Sequence, residues 1–441
     1  MKKALFVLCL LVFSMSASAQ APASKPLTYI KAGRLFDSTS DAMKTNMVIV
    51  VEGDRIKQVG AAAEIKIPAG ANVIDLSNAT VLPGLIDLHT HLGSRADRYD
   101  EIYNFKDTPF HSAFAGVLNA KTTLAAGFTT VRDVGSAPFL AVDLRNSINE
   151  GFIPGPRIVA AGPGISITGG HGDLNNYAPQ VSVMMFPEHR DFGIADGADQ
   201  VRQTVRAQVK YGVDAIKILA TGGVLSKGTN PGAPQYTPEE LKAAADEAHA
   251  HGRTIAAHAH GAEGIKNAIR AGIDTIEHCS FIDDEGIRLA KERGTFLVMD
   301  IYNDDYILGK AIEFKIPQEF VEKEKLVGRT QRENFEKAFR AGAKMAFGTD
   351  AGVYPHGDNA KQFAYMVKFG MTPAQALRAA TATSAAAIKR DKDVGTIEAG
   401  KFADIIAVDA DPLKDVTVME KVSFVMKGGT VYKQGGKWTR D

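Results

Sequence analysis

Cysteine is almost missing from this chain. Among 441 residues only Cys9 and Cys279 carry a thiol, and Cys9 lies in a segment that reads as a removable leader. An intrachain disulfide framework is therefore excluded, and burial must hold the fold together. An excess of charge is missing too, since 51 basic residues balance 51 acidic ones. That removes the electrostatic footprint expected of a nucleic-acid binder or of a protein attached to an anionic membrane. Beyond the leader, no apolar run is long enough to cross a bilayer. What remains is 45% hydrophobic and 23% charged, an ordinary globular balance in a chain long enough for one large α/β body plus a smaller module.

Residues 1–19 have the three parts of a secretory signal: Lys2-Lys3, an apolar stretch over 4–13, and Ala17-Ser18-Ala19 as the cleavage site. The apolar part is too short for an anchor helix. The expectation is an exported protein, secreted or periplasmic, free of the membrane once cleaved.

Residues 27–80 read as short strands and turns, with a hairpin signal where 47–51 and 55–59 flank Glu52-Gly53-Asp54. Residues 403–408, 422–426 and 430–433 have the same character. Neither end is large enough to bury a core alone, which points to one small β-domain, a sandwich built from both termini. Between them, strand-like segments at 81–88, 129–134, 157–161, 215–220, 254–257, 275–277, 296–299 and 344–347 alternate with helical ones. Thr237-Pro238-Glu239-Glu240 and Thr372-Pro373-Ala374-Gln375 carry capping-box spacing with Pro at the first helical position. Val201, Val205 and Val209 recur at helical spacing. Eight βα units predict an α/β fold of the (β/α)8 type, with its chemistry at the C-terminal strand ends. The division expected is a leader over 1–19, sandwich parts over 20–80 and 391–441, and the barrel over 81–390. Residues 169–196, with His171, Tyr177 and His189, read as a loop over the barrel mouth.

The stretch VLPGLIDLHTHL, residues 81–92, ends the first strand with His89 and His91. Alternate residues of a strand share a face, so both imidazoles can reach one metal ion. Lys217 sits inside the apolar strand DAIKIL. Its ammonium must be paired, neutralised or modified if buried, or else snorkel out from an edge strand. His258 follows IAA, His278 follows TIE, and Asp350 ends FGTD. All six lie at the ends of strands one, four, five, six and eight, where such a barrel holds its active site. Satisfied structural histidines would explain two of them, but not the set.

These pieces resemble the amidohydrolase superfamily of metal-dependent hydrolases: PGLIDLHTH, the strand-four Lys217, the strand-five His258, IEH, GTDAG, and GTIEAGKFADIIAVDADP leading back to the terminal strands. Within it, TGGHGD and the AAHAHG–AGIDTIEH pair are similar to the imidazolonepropionase-like branch, which includes Xaa-Pro and Xaa-Lys/Arg dipeptidases and ochratoxin-hydrolysing enzymes. The resemblance implies two divalent metal ions, zinc first, with Lys217 carboxylated by CO2 to bridge them. His89, His91 and Asp350 would hold one, and His258 and His278 the other. A metal-bound hydroxide would attack the amide, Asp350 would move the proton, and His171 would polarise the carbonyl. Tyr236 would hold a substrate carboxylate, unless it is a surface-loop tyrosine. His260 shares a face with His258 and is assigned to support or substrate contact. Cys279 could be a ligand or nucleophile, but a strand neighbour of His278 points the other way and reads as packing. Arg132 and Asp133 read as a structural pair supporting the site.

The implied function is hydrolysis of an amide next to a free carboxylate, in a dipeptide or N-acyl amino acid, by a homo-oligomer. Two rivals remain. A mononuclear deaminase or cyclic-amide hydrolase has little use for Lys217, and a non-catalytic metal-binding barrel has little use for Asp350.

Overall fold

The computed structural model describes residues 26–100, 102–136, 139–185 and 192–440. The leader expected over 1–19 and His189 lie outside them. Among the described residues, sixteen strands fall into three sheets. β1 (Leu27–Leu35), β2 (Lys44–Glu52), β3 (Arg55–Ala61) and β4 (Asn72–Pro83) come from the N-terminal side. β5 (Leu85–Thr90), β6 (Phe128–Asp133), β7 (Arg157–Ala160), β8 (Ala215–Leu219), β9 (Thr254–Ala259), β10 (Thr275–His278), β11 (Phe296–Val298) and β12 (Lys344–Ala346) follow. β13 (Ile405–Val408), β14 (Phe424–Lys427), β15 (Thr430–Gln434) and β16 (Lys437–Trp438) close the chain.

Both ends of the chain share one eight-stranded sheet in the order β16-β15-β14-β13-β4-β1-β2-β3. β4 is the join: it runs parallel to β1 and antiparallel to β13, with Leu82 opposite Ile406. Ile30, Ile49, Val81, Ile405 and Phe424 meet in one apolar cluster there. The expected single strand over 81–88 is two strands. Pro83 cannot donate to a ladder, and at Gly84 a Cβ would stand 2.0 Å from the Thr129 hydroxyl. The chain therefore leaves the mixed sheet at Pro83 and enters the parallel strands at Leu85.

β5 to β12 are all parallel, in a three-stranded sheet β5-β6-β7 and a five-stranded sheet β12-β11-β10-β9-β8. Helices connect them, as parallel neighbours require. Backbone contacts join the two sheets at both seams. Leu88 N–H donates to Phe347 O at 3.0 Å, and Asp214 N–H donates to Ala160 O at 2.7 Å. Each of the eight expected segments overlaps one of these strands. The capping boxes at Thr237 and Thr372 are both formed, and Val201 and Val205 face the core. The described part of residues 169–196 includes a short helix, Pro179–Met185, where only loop was expected. Among the described residues no helix is long and apolar enough to cross a membrane.

Candidate active site

The strand ends of β5, β8, β9 and β10, with the turn after β12, meet in a cavity of about 790 Å³ lined by His89, His91, Lys217, His258, His278 and Asp350. His89 and His91 are held in the same way. A partner takes each Nδ1, Glu277 Oε2 at 3.0 Å for His89 and Gly135 O at 2.8 Å for His91. Each Nε2 is thereby turned toward Asp350 Oδ1, at 3.5 Å and 3.2 Å. A ring whose far nitrogen is fixed presents the other as a ligand in one tautomer and one orientation.

The opposite wall is built of imidazoles. His260 stacks on His278 at 4.7 Å, and His258 lies 4.5 Å from His278 and 4.3 Å from His171, centroid to centroid. His278 Nδ1 is 2.8 Å from Asp300 Oδ1, His260 Nδ1 is 2.7 Å from Ser280 Oγ, and His258 Nε2 is 3.1 Å from Gly222 O. Burial first, and neighbouring positive charge second, hold His89, His258 and His260 well below the usual imidazole range. His171 is pushed down to about 3 by the same causes. These rings are neutral and keep a lone pair for a cation.

The donor set fits metal ions. The ligand atoms of His89, His278 and Asp350 lie within 4.8 Å of one another, and so do those of His258, His260 and His278. Lys217 is buried between these groups. Burial brings its ammonium down to about 8, against the pull of Glu277 and Asp350.

The backbone is bent to make this possible. His278, Cys279 and Asp350 have φ of 67°, 52° and 59°, a left-handed conformation costing roughly 1–3 kcal/mol each for residues with a Cβ. Asp350 N–H donates to His89 O at 2.8 Å and Cys279 N–H to Ala259 O at 3.0 Å, which offsets part of that cost. Cys279 Sγ donates to Ile276 O at 3.2 Å and packs in the apolar core outside the cavity lining.

His171 enters from the loop after β7. Its Nδ1 is 2.8 Å from Ser226 Oγ, and its ring fills the space a Cβ on Gly223 would need, 2.2 Å from Cε1. His260 also lines the cavity. Tyr236, expected at a substrate carboxylate, is 3% exposed and donates from its hydroxyl to Ala195 O at 2.9 Å. It packs in the core outside the cavity lining.

Arg132 and Asp133 do not pair with each other. Neighbours on a strand point to opposite faces. Arg132 donates from Nη2 to Glu277 Oε1 at 2.7 Å and from Nε to Leu88 O at 2.7 Å, whereas Asp133 accepts from Leu92 N–H at 2.6 Å. Arg132 thus steadies the carboxylate that steadies His89.

Asp300 and Gln331 did not emerge from the sequence. Asp300 accepts from Gln331 Nε2 at 3.0 Å as well as facing His278. Burial opposes its ionisation, but the charge and hydrogen bond of His278 outweigh that and keep it below the usual carboxylate range. An acid closing FLVMD at the seventh strand end was a usable signal. Gln331, in the middle of the helix Gln318–Arg340, carried none.

The comparisons with known proteins agree with this geometry. Residues 80–432 match the amidohydrolase family. The ochratoxinase of Aspergillus niger is 32% identical over 436 residues, covering 94% of this chain and 89% of that protein. A solved Xaa-Pro dipeptidase with bound methionine in its active site is 40% identical, covers 92% of this chain and 100% of its own, and superposes with a TM-score of 0.87. A prolidase complexed with N-methylphosphonate-L-proline is 30% identical, covers 92% and 100%, and has a TM-score of 0.85. Parallel strands that converge on two overlapping ligand groups, together with a family match over most of the chain, make this protein a member of the amidohydrolase family, metal-dependent hydrolases acting on C–N bonds.

Proposed function

We propose that this amidohydrolase cleaves an amide bond next to a free carboxylate, in a dipeptide, an N-acyl amino acid or an ochratoxin-type amide, with the help of two divalent metals. The observation that carries the reading is the overlap of the two ligand triads at His278, beside a buried lysine that has no hydrogen bond or ion pair among the described residues. The names of the relatives, ochratoxinase, Xaa-Pro dipeptidase and prolidase, support the substrate class.

His89, His91 and Asp350 are assigned to one metal, zinc or a similar ion, and His258 and His278 to the other. Lys217, once its amine has taken up CO2 as a carbamate and released a proton, would add an anionic ligand to the set. With its pKa lowered to about 8, part of the lysine is uncharged at neutral pH, as that reaction requires. Bound there, the metals supply Lewis acidity toward the amide carbonyl and lower the pKa of water. Asp350 accepts the proton of the attacking water on its carboxylate and returns it to the departing nitrogen. His171, with Nδ1 accepting from Ser226, donates from Nε2 to the carbonyl oxygen. Arg98 replaces Tyr236 as the candidate for the substrate carboxylate. It lines the cavity over the Tyr103 ring at 3.9 Å, and its buried Nε has no hydrogen-bond partner.

The seam contacts support reading the parallel strands as one (β/α)8 barrel, and the shared terminal sheet supports the small β-sandwich. Export rests on residues 1–19 alone, and a homo-oligomeric state on the family resemblance.

The test is hydrolysis of dipeptides and N-acyl amino acids, each beside its carboxamide-capped form, by protein of known metal content. Cleavage of the free acids with about two metal equivalents per chain is expected. One equivalent that does not rise on reconstitution with metal and bicarbonate, or cleavage blind to the cap, overturns the reading.

A further inference from the structure

One carboxyl in the cavity wall is used by none of the groups above. Glu324, on the helix Gln318–Arg340, is 4% exposed and lines the cavity. It makes no hydrogen bond or ion pair with any described residue; only burial and charges at a distance act on it. Arg332 is the cation that acts on it most strongly. It is taken by Asp304 and Asp305, at 2.9 Å and 3.0 Å. Burial, with Asp304, Asp300 and Asp350 adding negative potential, raises Glu324 to about 8.

Its place on the helix relates it to the catalytic end of the cavity. Residues 324, 327 and 331 follow the spacing of one helix face, and all three line the cavity. Gln331 touches Asp300 and His278 O. At 1.5 Å per residue, Glu324 stands about 10 Å farther along the axis. Ile307, Val327 and Val353 line the same cavity. Apolar wall for a hydrocarbon stem, ending at a lone carboxyl, is the chemistry that receives an alkylammonium. Left without a partner the buried carboxyl is held in its neutral form, and a ligand cation stabilises the carboxylate by pairing with it.

We infer that Glu324 is a specificity-determining residue that receives an ammonium group of the substrate, while the scissile amide sits at the strand ends. The ammonium is the free amino terminus of a dipeptide or a lysine-type side chain. This rests on the amide-hydrolase reading of the cavity.

The test is E324Q, which keeps shape and removes charge. One pair of substrates differs only in N-acetylation, a second only in lysine against norleucine. In one of the two pairs, the preference of wild type for the cationic member, measured as a ratio of kcat/KM, should fall by about 30-fold or more in E324Q, the loss expected when one partner of a buried charge pair is removed. The pair that responds names the source of the ammonium. A ratio unchanged in both pairs overturns the assignment. In parallel, n-butylammonium and n-butanol are compared by calorimetry on the wild-type protein. Preference for the cation is expected, and equal binding overturns the inference even if E324Q does not fold. A wild type that cleaves none of the four substrates refutes the hydrolase reading, while the calorimetry still decides on Glu324.

Discussion

The two halves of the ligand set are built differently. On the side of His89 and His91, every imidazole is countered by an anion or a carbonyl, and Asp350 stands between them. On the side of His258, His260 and His278, three rings crowd together, and among the described residues Asp300 is the only carboxylate hydrogen-bonded to them. The contrast appears in the protons. Burial works against a charge on His91, but the hydrogen bond and charge of Asp350 prevail and raise it. His258 and His260 have no such help and stay low. One half carries its own negative charge, and in the other His258 and His260 are neutral donors in need of it. A cation bound by the second half would be poorly neutralised without a further anion, and Lys217 is placed where a carbamate would provide one. That is the physical case for two ions and a modified lysine over a single ion.

Removing the proposed shared anion should therefore do the most damage. Lys217→Ala is expected to lose bound metal and nearly all turnover, with millimolar formate or acetate restoring part of both. Metal analysis alongside kinetics checks it, and full activity with metals retained would end the carbamate proposal. Next comes Asp350→Asn, which keeps the shape and a ligand oxygen on the charged side. Metal content should change little while kcat drops by roughly 10²–10⁴-fold, the span of general acid–base catalysis. Wild-type turnover would reassign the proton to another group, with His260 the next candidate.

The supports of the two halves should fail unequally. Glu277→Gln weakens the anchor of His89 and leaves Arg132 buried without its ionic partner, so a loss of about 3–5 kcal/mol of stability is expected on top of weaker metal binding. Asp300→Asn removes the anchor of His278 without stranding an arginine, so metal affinity should fall by about 10–100-fold with a much smaller change in melting temperature. Thermal melts with metal titrations distinguish them, and equal melting losses would erase the asymmetry argued here. The smallest effect belongs to Tyr236→Phe. It deletes the hydrogen bond to Ala195 O, worth about 1 kcal/mol, and kcat/KM should hold for every substrate. A rise in KM for free-acid substrates alone would return Tyr236 to the binding site.

Much of this was legible in one dimension. The βα alternation, both capping boxes and the six strand-end residues depend on local periodicity and on the rule that alternate strand residues share a face. Each of those signals lies within a few residues of the feature it reports. His89 and His91 could be read that way because two residues of one strand suffice to aim them together.

What the chain order could not give is everything that depends on distance across the fold. The break at Gly84 is forced by the Thr129 side chain on the adjacent strand. Arg132 finds Glu277 instead of its neighbour Asp133, because strand geometry separates neighbours while the sheets bring strands six and ten together. Tyr236 turns into the core because Ala195 O offers its hydroxyl a partner there. Gln331 and Glu324 enter the cavity from a helix that carries no strand-end signal. The sequence by itself determined which residues stand at the strand ends. Only the tertiary structure decided what lies behind and opposite them, since those partners come from segments far apart in the chain and are selected by packing and by the cost of leaving a buried charge alone.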